Sequence, residues 1–329
     1  MEESREKWAQ ARQILTDADC VLLLCHAHAD ADAINSVASF AMYLAGQGVK
    51  FRFGYPDEIP GTLFLLDDSF NLGEFIETDA ESIPADAVVV LDTGDTRLLG
   101  KTNSLLSHFQ MRGVPIICID HHLSNKLFGD INIVDTSAAA ACELLFDLFR
   151  EADVEIHPNM AHSLLGGLLG DTHNLTTGHV TAGTLRKAAD LMDLGADRTR
   201  ITEGMPMIPT VQSAKAWGTL LGNIQVAGEN IAYTVATKQI VASSGLNYVK
   251  NVSSFLRDVG GVEVAVLFIE DDEQQVKIEF RSKARVDVRE IAESLGGGGH
   301  RGASGCLLKD VTMDEAIEIT LDAVQNHMD

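Results

Sequence analysis

Positive charge is scarce in this chain. Its 329 residues carry 25 Lys and Arg against 48 Asp and Glu, a formal net charge of −23. That balance argues against a broad, sequence-blind nucleic-acid surface, which needs a basic face. It leaves room for a small anionic substrate held by metals and a few Arg or His. Long apolar runs are also missing, and none approaches the roughly 18 residues that span a bilayer. The opening Met1-Glu2-Glu3-Ser4-Arg5-Glu6-Lys7 is acidic and amphipathic, with no signal-peptide core. Cysteine is sparse. Cys20, Cys25, Cys118, Cys142 and Cys306 form an odd, unpatterned set, mostly in apolar runs. They read as buried thiols in a reducing cytoplasm. There is no internal repeat and no low-complexity tract beyond one run of glycines.

What the chain does have is a series of short apolar runs that end in carboxylates and imidazoles. Val21-Leu22-Leu23-Leu24 reads as a buried strand. Cys25-His26-Ala27-His28-Ala29-Asp30-Ala31-Asp32 follows it, with Cys25 turned to the core. One imidazole and two carboxylates, His26, Asp30 and Asp32, suit a divalent metal, although an Asx-rich turn capping the next helix uses the same residues. Ala87 to Leu91 is a second strand, ending at Asp92. Pro115 to Ile119 is a third, ending in Asp120-His121-His122. Gly166-Gly167-Leu168-Leu169-Gly170-Asp171 is a fourth apolar segment, read as helical. In an open parallel α/β sheet ligands sit beyond the carboxyl ends of the strands, so these polar tips are expected to share one crevice.

Between these tips the pattern predicts helices over Glu2–Thr16, Ser36–Gly46, Ser104–Arg112, Ser137–Glu151, Pro158–Leu169 and Ala182–Leu194. The alanines after Ser137 are expected to bring that helix close to the sheet. Lys50–Phe53 completes a β-α-β opening. Residues 57 to 84 are acidic and poorly periodic and predict short helices and loops. Asp95 reads as a turn or cap residue, with Arg97 pairing to it or reaching substrate. Ile201 to Pro209 reads as a linker. Beyond it lie a helix over Val211–Leu221, strands near 222–226, 231–237, 262–269 and 275–281, helices over Val249–Val259 and Val288–Leu295, and a capping box at Thr312-x-x-Glu315. The organisation expected is a domain over 1–197, a linker and connecting helix over 198–222, and a smaller domain over 223–329.

The order His26-x3-Asp30-x-Asp32, Asp92, Asp120-His121-His122, Asp171 resembles the four motifs of the DHH phosphoesterases. Gly296-Gly297-Gly298-Gly299-His300-Arg301, with Arg281-Ser282 upstream, resembles the signature of the DHHA1 domain that often follows. The resemblance covers nearly the whole chain and is nearest to the nanoRNase and phosphoadenosine-phosphatase group. It implies an α/β fold: a parallel-sheet DHH domain with helices on both faces, plus a smaller mixed α/β DHHA1 domain. It also implies a dinuclear centre of two Mn²⁺, with Mg²⁺ as the other candidate. His26, Asp30 and Asp92 would hold one ion, and Asp32, Asp92, His121 and Asp171 the other, with Asp92 bridging. Asp120 is expected to orient His121. His122 is expected to face the scissile phosphate, where it stabilises charge or protonates the leaving oxygen.

Arg281, Gly297, Gly298, Gly299, His300 and Arg301 would form a substrate clamp, with the catalytic crevice between the two domains. The implied activity is hydrolysis of oligoribonucleotides of two to five nucleotides, linear diadenylate included, to mononucleotides by two-metal activated hydroxide. Removal of the 3′-phosphate of phosphoadenosine phosphate is a further expected activity. Partners are then short RNA or a nucleotide, with no long duplex and no membrane; a homodimer is compatible with the chain. An inorganic pyrophosphatase or polyphosphatase, or a catalytically silent nucleotide-binding regulator, are the alternatives. The chain departs from the family pattern at Ala29, Ala31 and Asn35, in the extra imidazole of His28, and in the Thr172-His173-Asn174 that follows Asp171.

Overall fold

The strands at 20–24, 87–91 and 116–120 are almost wholly apolar and can only be satisfied with both faces covered. The computed structural model shows that arrangement; it describes residues 2–27, 29–54, 83–204, 210–244, 246–272, 274–283 and 285–328. The chain divides into two compact units, Met1–Met205 and Pro206–Asp329.

In the first unit β1 (Cys20–Leu24), β2 (Lys50–Gly54), β3 (Ala87–Leu91), β4 (Ile116–Asp120) and β5 (Ile131–Val134) form a wholly parallel sheet in the order β2-β1-β3-β4-β5. Side chains alternate between the faces. Val21, Leu23, Val89, Leu91, Ile117 and Ile119 join one core, whereas Leu22, Leu24, Val88, Val90 and Ile116 join the other. Against the first face pack α1 (Glu2–Asp17), α2 (Ala31–Gly46), α4 (Ala141–Glu151), α5 (Pro158–Asp171) and α6 (Ala182–Asp193). Against the second packs α3 (Asn103–Met111), through Leu105, Leu106 and Phe109. The face of α1 expected from its spacing is the buried one: Trp8, Ala11 and Leu15 are all inside. The Trp8 indole N–H donates to the Leu148 carbonyl at 3.0 Å. All five cysteines are buried and unpaired, Cys25 within the core.

Two helices of the first unit begin elsewhere than their periodicity predicts. The second starts at Ala31, not Ser36, because the Asp30 carboxylate caps it by accepting from the Asp32 and Ala33 amides at 3.0 and 3.1 Å. Asp32 therefore lies in its first turn and not in a loop. The helix expected from Ser137 starts at Ala141, with Ala140 extended. Its first amides are taken by Asp32: Ala141 N and Cys142 N donate to that carboxylate at 2.6 and 3.0 Å. α5 crosses α2 closely enough that a Cβ on Gly167 would lie 2.7 Å from Asp32 Oδ1. The stretch expected to be a linker opens as a short helix, α7 (Arg198–Gly204), held by Ile201, which is fully buried in the first unit's core. Residues 205–209, and most of the acidic stretch 57–84, lie outside the described residues.

The second unit is built on a six-stranded mixed sheet. The strands β6 (Gln225–Ala227), β7 (Ile231–Ala236), β8 (Val264–Asp272), β9 (Gln275–Ser282), β10 (Gly298–His300) and β11 (Ala303–Lys309) lie in the order β10-β11-β9-β8-β7-β6. Only β7 and β8 pair in parallel. Val276, Ile278 and Phe280 share the face covered by α11 (Val288–Ser294) and α12 (Met313–Met328). Trp217 and Leu220 of α8 (Val211–Gly222), with Val249, Val252 and Leu256 of α10 (Leu246–Asp258), cover the other. α8 is thus part of this unit's core. α9 (Lys238–Ser244) precedes α10. The capping box forms as expected: Glu315 N donates to Thr312 Oγ1 at 3.3 Å, and Thr312 N to Glu315 Oε2 at 2.8 Å.

The strands β10 and β11 were not legible in the sequence. The glycines end α11 and then enter a hairpin. Gly299 has φ +141, and a Cβ there would sit 2.6 Å from the Ser304 Cα, so a side chain is excluded on packing grounds alone.

Candidate metal centre and active site

The strand order places the site. β1 leads to one side of the sheet through α2 and β2, while β3, β4 and β5 run to the other. The reversal falls between β1 and β3, and their carboxyl ends open into the crevice where such sheets bind ligands. His26 and Asp30 follow β1, Asp92 follows β3, and His121 and His122 follow β4.

Asp92 is the centre of the cluster. It is 2% exposed, and its backbone takes the left-handed φ of 49°, a conformation that Asp tolerates better than most residues. Its Oδ2 lies 3.7 Å from His26 Nε2, and its Oδ1 lies 3.5 Å from His121 Nε2. His121 Nε2 is also 3.6 Å from Asp171 Oδ2 and 4.0 Å from Asp32 Oδ2. His26 Nε2 is 4.0 Å from Asp30 Oδ1. The side chains fall into groups of three whose ligand atoms lie within 4.8 Å of one another: His26, Asp30 and Asp92, and Asp32, His121 and Asp171. The structure therefore brings together all six residues singled out as metal ligands.

These spacings fit a cation better than direct hydrogen bonds. Two ligands of one ion at about 2.1 Å lie roughly 3–4 Å apart. Among the described residues, the buried Asp92 Oδ1 has no hydrogen-bond partner, which costs free energy unless a positive charge faces it. The donor set, carboxylates and imidazoles without thiolate, suits a hard divalent ion. Asp32 is held for such a role by the amides of Ala141 and Cys142. A third group, Asp92, His121 and His122, is equally close-set. Its His122 Nδ1 is, however, committed elsewhere.

That commitment corrects one expectation. Asp120 does not orient His121; it orients His122. His122 Nδ1 and Asp120 Oδ1 are 2.7 Å apart, and the other Asp120 oxygen accepts from Asn125 Nδ2 at 2.6 Å. Asp120 is fully buried. Its carboxylate can only accept, so Nδ1 carries the proton in that bond. The ring of His121 is fixed by a main-chain group instead: Nδ1 lies 3.3 Å from the Ala138 carbonyl. A histidine at the end of a strand signals neither partner in sequence, because Asn125 and Ala138 reach the site only through the fold.

Electrostatics follow from the crowding of carboxylates. Burial would lower the His121 pKa, but Asp92, with Asp32 and Asp171 beyond it, raises it to about 10. Burial would raise the Asp92 pKa, but the imidazoles of His121 and His26 hold it at about 2. Burial pushes Asp171 up to about 6, with neighbouring carboxylates adding to the rise and His121 opposing it. His26 and His122 are raised through Asp92 and Asp120 respectively, against the effect of burial.

Without metal, protons on the imidazoles supply the positive charge that the carboxylates demand. The sign of the pH dependence is set by that exchange. His121 holds its proton up to about pH 10 and must release it to ligate. The affinity of the metal-depleted protein for Mn²⁺ is therefore expected to rise about tenfold per pH unit from pH 6 to 8. Calorimetric titration at the two values checks this; equal affinities would show that His121 does not bind the ion.

Of the residues expected to contact substrate, Arg281 and His300 lie in one cross-strand row with Ala303, which pairs with both. Arg281 Nη1 donates to the Phe280 carbonyl at 2.9 Å, and the side chain is 22% exposed. A Cβ at Gly298 would meet open space, unlike one at Gly297 or Gly299. Arg301 follows β10 in the turn before β11, and its carbonyl accepts from Val288 N. The position of the His300 side chain, and all of His28, lie outside the described residues. Asp95 caps the 3₁₀ turn at 96–102 and pairs with Arg97 at 2.6 Å. After Asp171 three successive residues, His173, Asn174 and Leu175, take positive φ. Nothing in the sequence announced this.

Comparison with known proteins agrees with this geometry. The family model described as "DHH family, N-terminal domain" matches residues 20–168, and that of the DHHA1 domain matches residues 234–328. The bifunctional oligoribonuclease and PAP phosphatase NrnA of Thermus thermophilus is 28% identical over 94% of this chain and 90% of its own. Its Bacillus subtilis namesake is 25% identical over 92% of this chain and 93% of its own. Among solved structures, an exopolyphosphatase-related protein from Bacteroides fragilis superposes with a TM-score of 0.87 at 21% identity, covering 98% of this chain and 96% of that one, which shows the shared fold. Two family models that between them take in both compact units, in the order the motifs predict, place this chain in the DHH phosphoesterase family, with a DHHA1 domain in its second unit.

Proposed function

We propose that the chain is a phosphoesterase that needs two divalent ions, Mn²⁺ before Mg²⁺, and hydrolyses oligoribonucleotides of two to five residues, linear diadenylate among them, to mononucleotides. Phosphoadenosine phosphate is a second substrate of the same site, losing its 3′-phosphate. The observation that carries the reading is Asp92: a buried carboxylate, one oxygen of which has no hydrogen-bond partner among the described residues, set between the His26–Asp30 and Asp32–His121–Asp171 groups. His26, Asp30 and Asp92 would hold one ion, and Asp32, Asp92, His121 and Asp171 the other. When bound, such a pair supplies Lewis-acid polarisation of the phosphoryl oxygen and activation of water.

The chain's own residues do the rest. His122, its Nδ1 tied to Asp120, gives a proton from Nε2 to the departing sugar oxygen and regains one from solvent. Asp120, itself held by Asn125, stabilises the imidazolium before that transfer. Residues 1–197 are the catalytic domain in this reading. Residues 223–329 are the substrate domain, joined to it through 198–222. There Arg281, His300 and Arg301 meet a terminal phosphate, while the Gly297–Gly299 backbone lies against sugar or base. The net charge of −23 favours short substrates over a long strand. Buried, unpaired thiols fit a cytoplasmic setting.

The test compares initial rates of the full chain with Mn²⁺ on 5′-phosphorylated diadenylate, an RNA of some two dozen nucleotides, phosphoadenosine phosphate and pyrophosphate. Fast cleavage of diadenylate, with little on the long RNA, is the expected result. Pyrophosphate turnover with inert nucleotides would replace this reading with a pyrophosphatase. Tight, metal-dependent nucleotide binding without hydrolysis would replace it with a regulator.

A further inference from the structure

The turn before α4 does two things for the metal centre. The Ala138 carbonyl faces His121 Nδ1 at 3.3 Å, and the amides of Ala141 and Cys142 hold both oxygens of Asp32. A short stretch of chain thus sets the aim of two of the three side chains in the Asp32–His121–Asp171 group. Behind that turn lies a carboxylate with no part in the chemistry proposed for the site. Glu143 is 3% exposed, and its Oε2 accepts from Ala139 N at 2.8 Å. It is fastened from α6: Thr184 Oγ1 lies 3.2 Å from Glu143 Oε1, and Lys187 Nζ lies 2.8 Å from the same oxygen. Lys187 also bonds Asp147 on α4 at 2.5 Å.

We infer that Glu143, braced by Thr184 and Lys187 of α6, is a positioning residue that holds the 138–142 turn so that His121 and Asp32 present a preformed site for the second divalent ion. A buried charge tied to a main-chain amide on one side and a lysine on the other cannot be moved without leaving a polar group unpaired. The turn is therefore stiff, and its carbonyl and amides stay aimed. Partners behind metal ligands commonly set affinity in this way. The inference rests on the reading of Asp32, His121 and Asp171 as ligands.

The alternative role for Glu143 is to cap α4 and nothing more. Capping alone would lower the melting temperature and leave metal affinity untouched, so Mn²⁺ binding separates the two. Metal-depleted full-length protein is titrated with Mn²⁺ by calorimetry and by the loss of the free-ion EPR signal. Wild type is expected to bind two ions. Glu143→Ala is expected to bind one with unchanged affinity and the other about 10- to 100-fold more weakly. Glu143→Gln, which keeps an oxygen for Ala139 N, is expected to recover most of that loss.

Wild-type affinity for both ions in a folded Glu143→Ala protein, with only its melting temperature reduced, would overturn the inference while leaving the metal centre standing. Wild-type protein that binds fewer than two ions would overturn the metal reading and this inference with it. Should Glu143→Ala not fold, Lys187→Met removes the brace and leaves the Ala139 contact. The second ion is then expected to bind about tenfold more weakly, and unchanged binding overturns the inference.

Discussion

Replacing Asp92 with alanine is expected to cut turnover of diadenylate by about 10³-fold or more and to reduce bound Mn²⁺ from two ions to one or none. The size reflects what the residue does. Lewis-acid stabilisation of the transition state is worth several kcal/mol, and each 1.4 kcal/mol or so is tenfold in rate. Among the described residues, Asp92 is the one carboxylate within 4 Å of imidazoles from both groups, so its loss weakens both sites at once. The change has a second readout that needs no activity. The Asp92 carboxylate, 3.5 Å from His121 Nε2, leads the groups that raise His121 against the effect of burial, so the His121 titration in metal-free Asp92→Asn protein should move down from about 10. Full activity and full metal content in Asp92→Ala would dismantle the proposed centre.

His122→Ala is expected to lower kcat by about 10²–10⁴, the usual range for a lost general acid, while Mn²⁺ stoichiometry stays at two. The contrast with Asp92 is the point of the experiment. His122 Nδ1 is bonded to Asp120 at 2.7 Å and is not left for a metal, so its removal costs chemistry but not binding. Asp120→Asn should act through the same ring. Asp120 raises the His122 pKa against burial, so the protonated acid persists above its ordinary range. An acid with a raised pKa is active at low pH and loses activity as pH climbs through that value. Removing the Asp120 charge should therefore shift the basic limb of the kcat profile to lower pH. Loss of a bound Mn²⁺ in His122→Ala would instead make His122 a ligand.

The sequence alone determined a good part of this. The strands after which the site residues fall are continuous apolar runs, legible because a strand buried on both faces has no alternation to disguise it. The family motifs carried the residue types of the metal cluster, and His26, Asp30, Asp32, Asp92, His121 and Asp171 do converge. Features that obey the hydrophobic period or a short-range spacing were readable too, as with the buried Trp8 face of α1 and the Thr312–Glu315 cap.

Only the tertiary structure decided how the site is held. The start of α4 could not be read from alanines, because it is set by a carboxylate from another helix, 109 residues earlier in the chain. Asp120 adjoins His121 in sequence but orients His122, since the chain leaves β4 at that point and no longer follows strand alternation. The glycine run hid a strand, because a pairing partner and not any side chain of its own keeps it extended. Side-chain pattern records what a residue buries, and short-range spacing records what it caps. Neither records which distant main-chain group will meet a buried charge. That is settled when the sheet order β2-β1-β3-β4-β5 brings the ends of β1, β3 and β4 to one crevice, where most buried polar atoms find a partner on a distant part of the chain.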